Sequence, residues 1–346
     1  MFMLSLYRKY LKPYIPHVIF RIKDFVLQLL RNARNSNMYT SLENSNKQSL
    51  AEKQGKQYVS IIILSFERGE QTKNTIEKIL ACTKHLKKEI IIWDNASQDP
   101  KTIRILKDLQ KLLDVRVIFS DKNLRCSGGR KKAVRLARGD YVLFLDNDIE
   151  IFPGTIESLM MRLQESDSYK GACCHVIFPD GVTQFSGGRM VRQGNFVTFS
   201  LIDAGKKWNS KRIAQKQECD WVPGGATMFK RGIFEHVDFD TRYPNAYEDN
   251  DLSLQITQKY QGKVVNCPDA KVIHHHINYE FLKDRGTKRY QGTRYNKEMF
   301  IASWLYFYER WGLIIKDDFI FGLIGLRDAS DDEIIRYVKK HVCTKE

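Results

Sequence analysis

Four short runs between Tyr58 and Asp148 are apolar at nearly every position: Val59 to Leu64, Ile90 to Trp93, Val115 to Phe119 and Tyr141 to Leu145. Stretches of helical length, around residues 70 to 82, 101 to 113 and 127 to 138, separate them. An unbroken apolar run suits a strand covered on both faces, and strand–helix repetition with right-handed crossovers puts such strands in one mostly parallel sheet. The fold class expected is therefore α/β, a Rossmann-like, mostly parallel sheet flanked by helices. Ligands of such sheets bind beyond the carboxyl ends of the strands. Each run delivers a polar cluster to that edge: Ser65, Phe66, Glu67 and Arg68; Asp94, Asn95, Ala96 and Ser97; Asp121, Lys122 and Asn123; and Asp146, Asn147 and Asp148. Four clusters on one crevice point to a nucleotide-phosphate pocket rather than to unrelated turns.

The last cluster is the most informative. Asp146 and Asp148 are two carboxylates one residue apart at the end of the fourth run, and they repel each other unless a cation lies between them. Such hard oxygen donors hold Mg2+ or Mn2+ with few protein ligands and let substrate phosphates complete the shell. A polar strand-end turn is the alternative, since Asp and Asn favour turns. Arg130, with Lys131 and Lys132, opens the third helical stretch and is placed to contact phosphates at a helix N-terminus; a solvated helix face is the plainer reading.

At 346 residues the chain can bury one sizeable core, with appendages. Hydrophobic residues at 42% and charged residues at 28% describe a globular chain with no collagen-like, coiled-coil or disordered signature. The seven cysteines are an odd number without zinc-type paired spacing, and reduced thiols in a cytosolic protein account for them. The net charge of +15 calls for an anionic partner, and much of the excess sits at one end. Residues 1–35 carry Arg8, Lys9, Lys12, Arg21, Lys23, Arg31 and Arg34 against Asp24 alone. From His17 to Arg34 apolar residues recur at near-helical spacing, which predicts a basic amphipathic helix, too often interrupted by charge to span a bilayer. It suits an anionic cytoplasmic membrane surface, or packing on this protein's own body or a second copy. Residues 36–57 read as a polar linker.

Six segments together resemble the GT-A fold glycosyltransferases related to family 2: Ser60 to Arg68, Trp93 to Ser97, Asn123 to Arg130, Gly139 to Asp148, Trp221 to Phe229 and Tyr247 to Leu252. The resemblance covers roughly residues 58–276 and makes 58–280 the GT-A domain, with a C-terminal helical extension over 281–346. It implies that Asp94 reads the uracil or thymine edge of a nucleotide-sugar, that Asp146 and Asp148 form a D-x-D motif, and that Asp148 binds the metal. A carboxylate accepting from a pyrimidine N–H and a divalent cation neutralising a departing diphosphate make physical sense of those roles. Phe66, Glu67, Arg68, Asn123, Arg130 and Asn147 complete the expected nucleotide-sugar site. Three positions depart from the pattern: Glu67 stands where Asn is common, Arg125 where Gly is common, and Lys131 where another Asn is common. Glu67 beside a diphosphate would be repulsive, so a partner among Arg68, Arg125 and Arg130 is expected.

The second half supplies an acceptor side. The resemblance implies that Asp249 is the general base of an inverting transfer, with Glu248 in the sugar pocket; Asp251 reads as a helix-start charge. Acids that merely complement a helix dipole are the alternative. Gly224 and Gly225 after Trp221-Val222-Pro223 allow a close backbone approach to a sugar, with Trp221 as an apolar platform. His274, His275 and His276 follow an apolar pair, and strand alternation sends His274 and His276 to one face and His275 to the other. An imidazole completes a Mn2+ shell acceptably, so His274 or His276 is an expected ligand beside Asp148. Arg285, Lys288, Arg289 and Arg294 then precede an aromatic run at helical spacing from Phe300 to Trp311, which packs on the catalytic domain or offers an acceptor or membrane surface. A basic lid over the nucleotide is a further reading of residues 281–296.

Taken together, the sequence predicts a metal-dependent, inverting glycosyltransferase that uses a UDP-sugar or, second, a dTDP-sugar, with Mn2+ or Mg2+. Expected acceptors are a growing cell-surface glycan, lipid-linked, or a peptide or protein side chain. The expected location is cytoplasmic and peripheral at the inner face of the cell membrane. A basic nucleic-acid-binding module would also answer the charge but leaves the convergent acids unexplained, so no nucleic-acid partner is expected. A sugar nucleotidyltransferase would need a Gly-rich basic loop after the first strand, and Ser65 to Glu70 offers a single Gly.

Overall fold

A computed structural model describes residue 38, residues 57–275 and residues 285–342, the side chains of 285–287 excepted. The basic N-terminal arm, most of the linker and His276 lie outside the described residues. The first half follows the strand–helix alternation closely: β1 Val59–Ser65, α1 Gly69–Cys82, β2 Lys88–Asp94, α2 Pro100–Leu109, β3 Val115–Phe119, α3 Arg125–Val134 and β4 Tyr141–Asp146. β4, β1, β2 and β3 pair in parallel in that order, so their carboxyl ends share one edge. Alternate β1 side chains feed opposite cores. Ile61 and Ile63 pack with Ile76, Ile79, Leu106 and Leu159, whereas Ile62 packs with Ala133, Phe144, Leu252 and Ile256. Each fully buried Ile contributes roughly 1.5–3 kcal/mol, so a polar residue on either face would be costly, and the unbroken apolar run follows.

The remaining strands extend the sheet beyond β4. They are β5 Ile149–Ile151, β6 Tyr169–Ile177 after helix α4 Thr155–Gln164, β7 Thr183–Phe185, β8 Gly188–Gln193, β9 Phe196–Leu201, β10 Glu218–Cys219 and β11 Ala226–Lys230. Helix α5 Glu248–Leu254 and strand β12 Lys263–His274 follow. The ten-stranded sheet runs β10-β12-β6-β11-β4-β1-β2-β3, with β5 on β12 and β7 on β6. β11 lies antiparallel between β4 and β6, which makes the sheet mixed on this side. β5 is only three residues long, but it pairs His274 of β12 with Ile149, the residue after Asp148.

Helices α6 Arg285–Arg294, α7 Lys297–Trp311, α8 Asp318–Leu323 and α9 Asp331–Val342, with β13 Ile314–Ile315, complete the described chain. β13, β9 and β8 form a small second sheet that shares an aromatic-rich core with α7, α8 and α9, including Trp304, Phe307, Phe196 and Phe321. The aromatic run from Phe300 to Trp311 is thus a packing helix. It is fastened to α5 through Asp251, which is fully buried and accepts hydrogen bonds from Arg310 Nε at 2.5 Å, Gln255 Nε2 at 2.7 Å and Trp311 Nε1 at 2.8 Å. Asp251 stands in the first turn of α5, as expected of a helix-start charge, and is an internal anchor as well. The six described cysteines are all free thiols. No helix among the described residues is long and apolar enough to cross a membrane.

Candidate active site

The strand-end clusters open onto a cavity of about 280 Å³, which β4, α3, α5, β12 and α6 also wall. Asp146, Asn147 and Asp148 line it together, and His274 arrives from a point 126 residues later in the chain because β5 pins the end of β12 beside Asp148. One possible ligand atom from each of Asp146, Asp148 and His274 lies within 4.8 Å of the others. Two hard oxygens and one imidazole suit Mn2+ and tolerate Mg2+, so the donor set fits the divalent cation expected from the sequence. His274 Nδ1–H donates to Gln184 Oε1 at 2.7 Å, and this outer contact aims Nε2 at Asp148 Oδ1, 3.0 Å away. His275 points to the other face and meets Glu150 at 2.9 Å, as strand alternation requires.

Asp148 is shared between His274 and Arg68, whose Nη1 donates to Oδ2 at 2.9 Å. Burial alone would push the Asp148 carboxyl up, but His274 and Arg68 outweigh it and hold the group far below the usual carboxylate range. Burial likewise opposes a charged imidazole at His274, and Asp148 reverses the effect, raising its pKa. Arg68 stands beside the cavity rather than in its lining, stacked 4.8 Å from the Tyr290 ring centroid.

Across the cavity Arg130 links the two acid groups. Its Nη1 donates to Asp249 Oδ1 at 3.0 Å and its Nη2 to Asp146 Oδ1 at 3.4 Å, while Glu248 Oε1 lies 3.7 Å away. Gly224 and Gly225 make this approach possible. A Cβ on Gly224 would lie 2.3 Å from Asp249 Oδ1, and one on Gly225 would lie 2.2 Å from Asp146 Oδ2. Burial raises the Asp249 carboxyl to about 6 despite the opposing pull of Arg130, with Glu248 adding to the rise. That places a carboxylate in the range a general base needs near neutral pH.

Other expected residues take different positions. Phe66 and Asn123 line the cavity, and Asn147 does so while its amide donates to Thr72 Oγ1 at 3.0 Å. Asp94 is buried outside the lining; its two oxygens accept from Ser97 Oγ at 2.5 Å and Ser97 N at 3.0 Å, which closes the turn after β2. Neighbouring Asn95 lines the cavity instead. Glu67 also turns away from the ligand space. It accepts from the backbone N–H groups of Gln98 at 2.7 Å and Asp99 at 3.1 Å, and its cationic partner is Arg289 of α6 at 3.1 Å, none of the three arginines expected. Trp221 lies outside the lining as well. Its Nε1 donates to Arg189 O at 3.3 Å and its ring meets Phe199 edge-on, so it ties the small sheet to the large one.

At two of the three departures, Glu67 and Arg125, the backbone explains the residue usual in the family. Glu67 and Arg125 adopt left-handed φ values of 58° and 62°, a region that Asn and Gly enter more cheaply than other residues. Residues not singled out for the site also line it: Gln184, Asn245, Tyr290, Thr293 and, from the basic C-terminal run, Arg294. No local motif announces them, because each comes from a segment whose place is set only when the second half packs.

The model of the family described as "Glycosyl transferase family 2" matches residues 60–237, just over half of the 346 residues. The chain belongs to glycosyl transferase family 2. It is 25% identical to the O-antigen biosynthesis protein RfbC of Myxococcus xanthus over 63% of this chain and 17% of that protein. It is 34% identical to an uncharacterized glycosyltransferase of Methanocaldococcus jannaschii over 59% of this chain and 76% of the relative. The crystal structure of GalNAc-T7 with UDP, GalNAc and Mn2+ superposes with a TM-score of 0.56 at 16% identity, covering 83% of this chain and 54% of that one, and shows that this chain has the GT-A fold. This family 2 chain thus spans about a sixth of RfbC and about half of GalNAc-T7. Asp249, His274 and α6 all lie beyond the segment the family model matches.

Proposed function

We propose that this chain is an inverting glycosyltransferase that moves a sugar from a nucleoside diphosphate, UDP first and dTDP second, to an acceptor hydroxyl. The observation that carries this reading is the pairing, in one cavity, of the Asp146–Asp148–His274 cluster with Asp249, Arg130 spanning the two. Asp249 takes the proton of the acceptor hydroxyl as that oxygen attacks the anomeric carbon, and the bond to the diphosphate breaks on the opposite face. Arg130 keeps part of the Asp249 population ionised against the cost of burial, and Gly224 and Gly225 keep the wall open for the sugar. Asp146, Asp148 and His274 hold Mn2+ or Mg2+, which when bound supplies positive charge for the leaving diphosphate.

Synthesis of a cell-surface glycan at the cytoplasmic face of the membrane is the setting we favour. The basic amphipathic spacing of residues 17–34 and the similarity to an O-antigen biosynthesis protein support it. Thermal shift and donor hydrolysis with UDP-, dTDP- and GDP-sugars, each with Mn2+ or Mg2+, test the reading. Metal-dependent stabilisation by one nucleotide class, lost in Asp148→Ala, is expected; no response to any nucleotide under either metal refutes it.

A further inference from the structure

Four arginines stand in or beside the cavity, and what neutralises them divides them into two pairs. Arg68 is 2.9 Å from Asp148, and Arg130 is 3.0 Å from Asp249 and 3.4 Å from Asp146. Arg125 and Arg294 line the same cavity, and neither guanidinium has a carboxylate partner among the described residues. Arg294 is nonetheless fixed in place. Its Nη1 donates to Asn245 Oδ1 at 2.6 Å, and Asn245 Nδ2 donates back to Arg294 O at 2.6 Å. A neutral amide orients a guanidinium without cancelling its charge, and a partly buried cation left in that state favours the arrival of an anion.

Arg125 carries an independent sign. It opens α3 at a φ of 62°, where a glycine would sit without strain, and Asn123 Oδ1 accepts from its backbone N–H at 2.9 Å to hold that turn. A side chain kept at a strained backbone position beside a cavity points to a use for the side chain. Charge accounting gives that use a chemistry. As a sum, Asp146, Asp148, Glu248 and Asp249 balance the four arginines, and a bound divalent cation would add two positive charges; of the arginines, Arg68 and Arg130 are the ones with carboxylates within 4 Å. Arg125 and Arg294 are left over, two positive charges facing a space that a diphosphate ester, with two negative charges, would neutralise.

We propose that Arg125 and Arg294 form a two-armed clamp for the diphosphate of the donor, one arm from the start of α3 and the other from the end of α6. The clamp rests on the nucleotide-sugar reading above and adds the residues that grip the leaving group. It makes α6 part of the donor site, because Arg294 is its last residue and Tyr290 and Thr293 line the same wall.

Calorimetric titration in Mn2+ tests the clamp with UDP, dTDP and GDP, and with uridine, thymidine and guanosine as controls. The native protein is compared with Arg125→Gly, Arg294→Gln and Arg294→Lys. Each neutral substitution should weaken the preferred nucleoside diphosphate about tenfold, leave the parent nucleoside unchanged, and flatten the salt dependence; Arg294→Lys should recover part of the loss. Arg125→Gly should also raise Tm, since glycine relieves the left-handed strain, so its weaker binding cannot come from misfolding. It keeps the test decisive even where Arg294→Gln folds poorly. Unchanged diphosphate affinity in Arg125→Gly and Arg294→Gln overturns the clamp and leaves the donor reading standing. Absence of any nucleoside diphosphate binding to the native protein overturns that reading and the clamp with it.

Discussion

Residues 59–146 and the residues that follow them contribute to the same cavity by different means. In the first half each strand passes directly into the loop that carries its polar residues, as β4 does into Asp146-Asn147-Asp148. In the second half the contributing residues reach the cavity only through long-range pairing. β5 brings His274 to Asp148, and Asp249 meets Arg130 across 119 residues of chain. The first half thus supplies most of the proposed nucleotide contacts from local strand-end loops, whereas the second half adds the proposed base and, through His274 and Arg294, part of the proposed donor site. A fold that draws the base from its later segments alone can change acceptor or rate there while the strand-end loops stay as they are.

The sharpest way to break this comparison is to remove the base and leave the first half untouched. Asp249→Asn should cut the transfer rate about 10³-fold, some 4 kcal/mol in the barrier, with nucleotide-induced stabilisation retained. Steady-state kinetics beside a thermal-shift titration measure both, and equal loss of binding and rate would mean that the two halves do not divide the work. Next in size is the anchor behind the base. Asp251→Ala removes the buried acceptor shared by Arg310, Gln255 and Trp311 at the α5–α7 junction, with Arg310 keeping Asp240 at 2.8 Å, and should cost about 3 kcal/mol in urea unfolding through the donors left unsatisfied. A loss under 1 kcal/mol would show that α7 is held by its aromatic core alone.

A pH profile sharpens the comparison at smaller scale. Because burial raises Asp249 to about 6, kcat should fall about tenfold per pH unit below that value, where the base is protonated, and level off above it. Arg130→Gln removes the charge that draws the value down, so the acid limb should move to higher pH. A limb that stays in place would assign the titration to another group. The smallest effect expected is at the contact between the halves made by Arg289 and Glu67. Arg289 is 47% exposed, and Glu67 keeps two backbone donors without it, so Arg289→Ala should cost no more than about 1 kcal/mol. A larger loss, read from denaturant midpoints, would make α6 a structural part of the first half.

The strand-end acids were legible because their signal is local. An apolar run long enough for one strand, stopping at Asp146, identifies the residue that emerges at the sheet edge wherever the strand lies. The same logic placed His274 and His275 on opposite faces. It did not reveal the contacts of Glu67 and Asp94, carboxylates that accept from N–H and O–H donors of the Ser97–Asp99 turn. Nor did it reveal that the Trp221 ring meets Phe199 of the small sheet.

The sequence by itself determined the parallel half of the sheet, the edge at which ligands gather and the acid pair suited to a cation, since these follow from period, burial and turn chemistry within a few residues. Only the tertiary structure decided that Arg68 and His274 share Asp148, that Arg130 bridges Asp146 and Asp249, and that α6 closes the wall with Arg294. Those juxtapositions depend on the order and register in which β11, β6, β12 and β5 pair. No stretch of chain encodes that order locally, because the energy that selects it comes from burying both faces of the completed sheet.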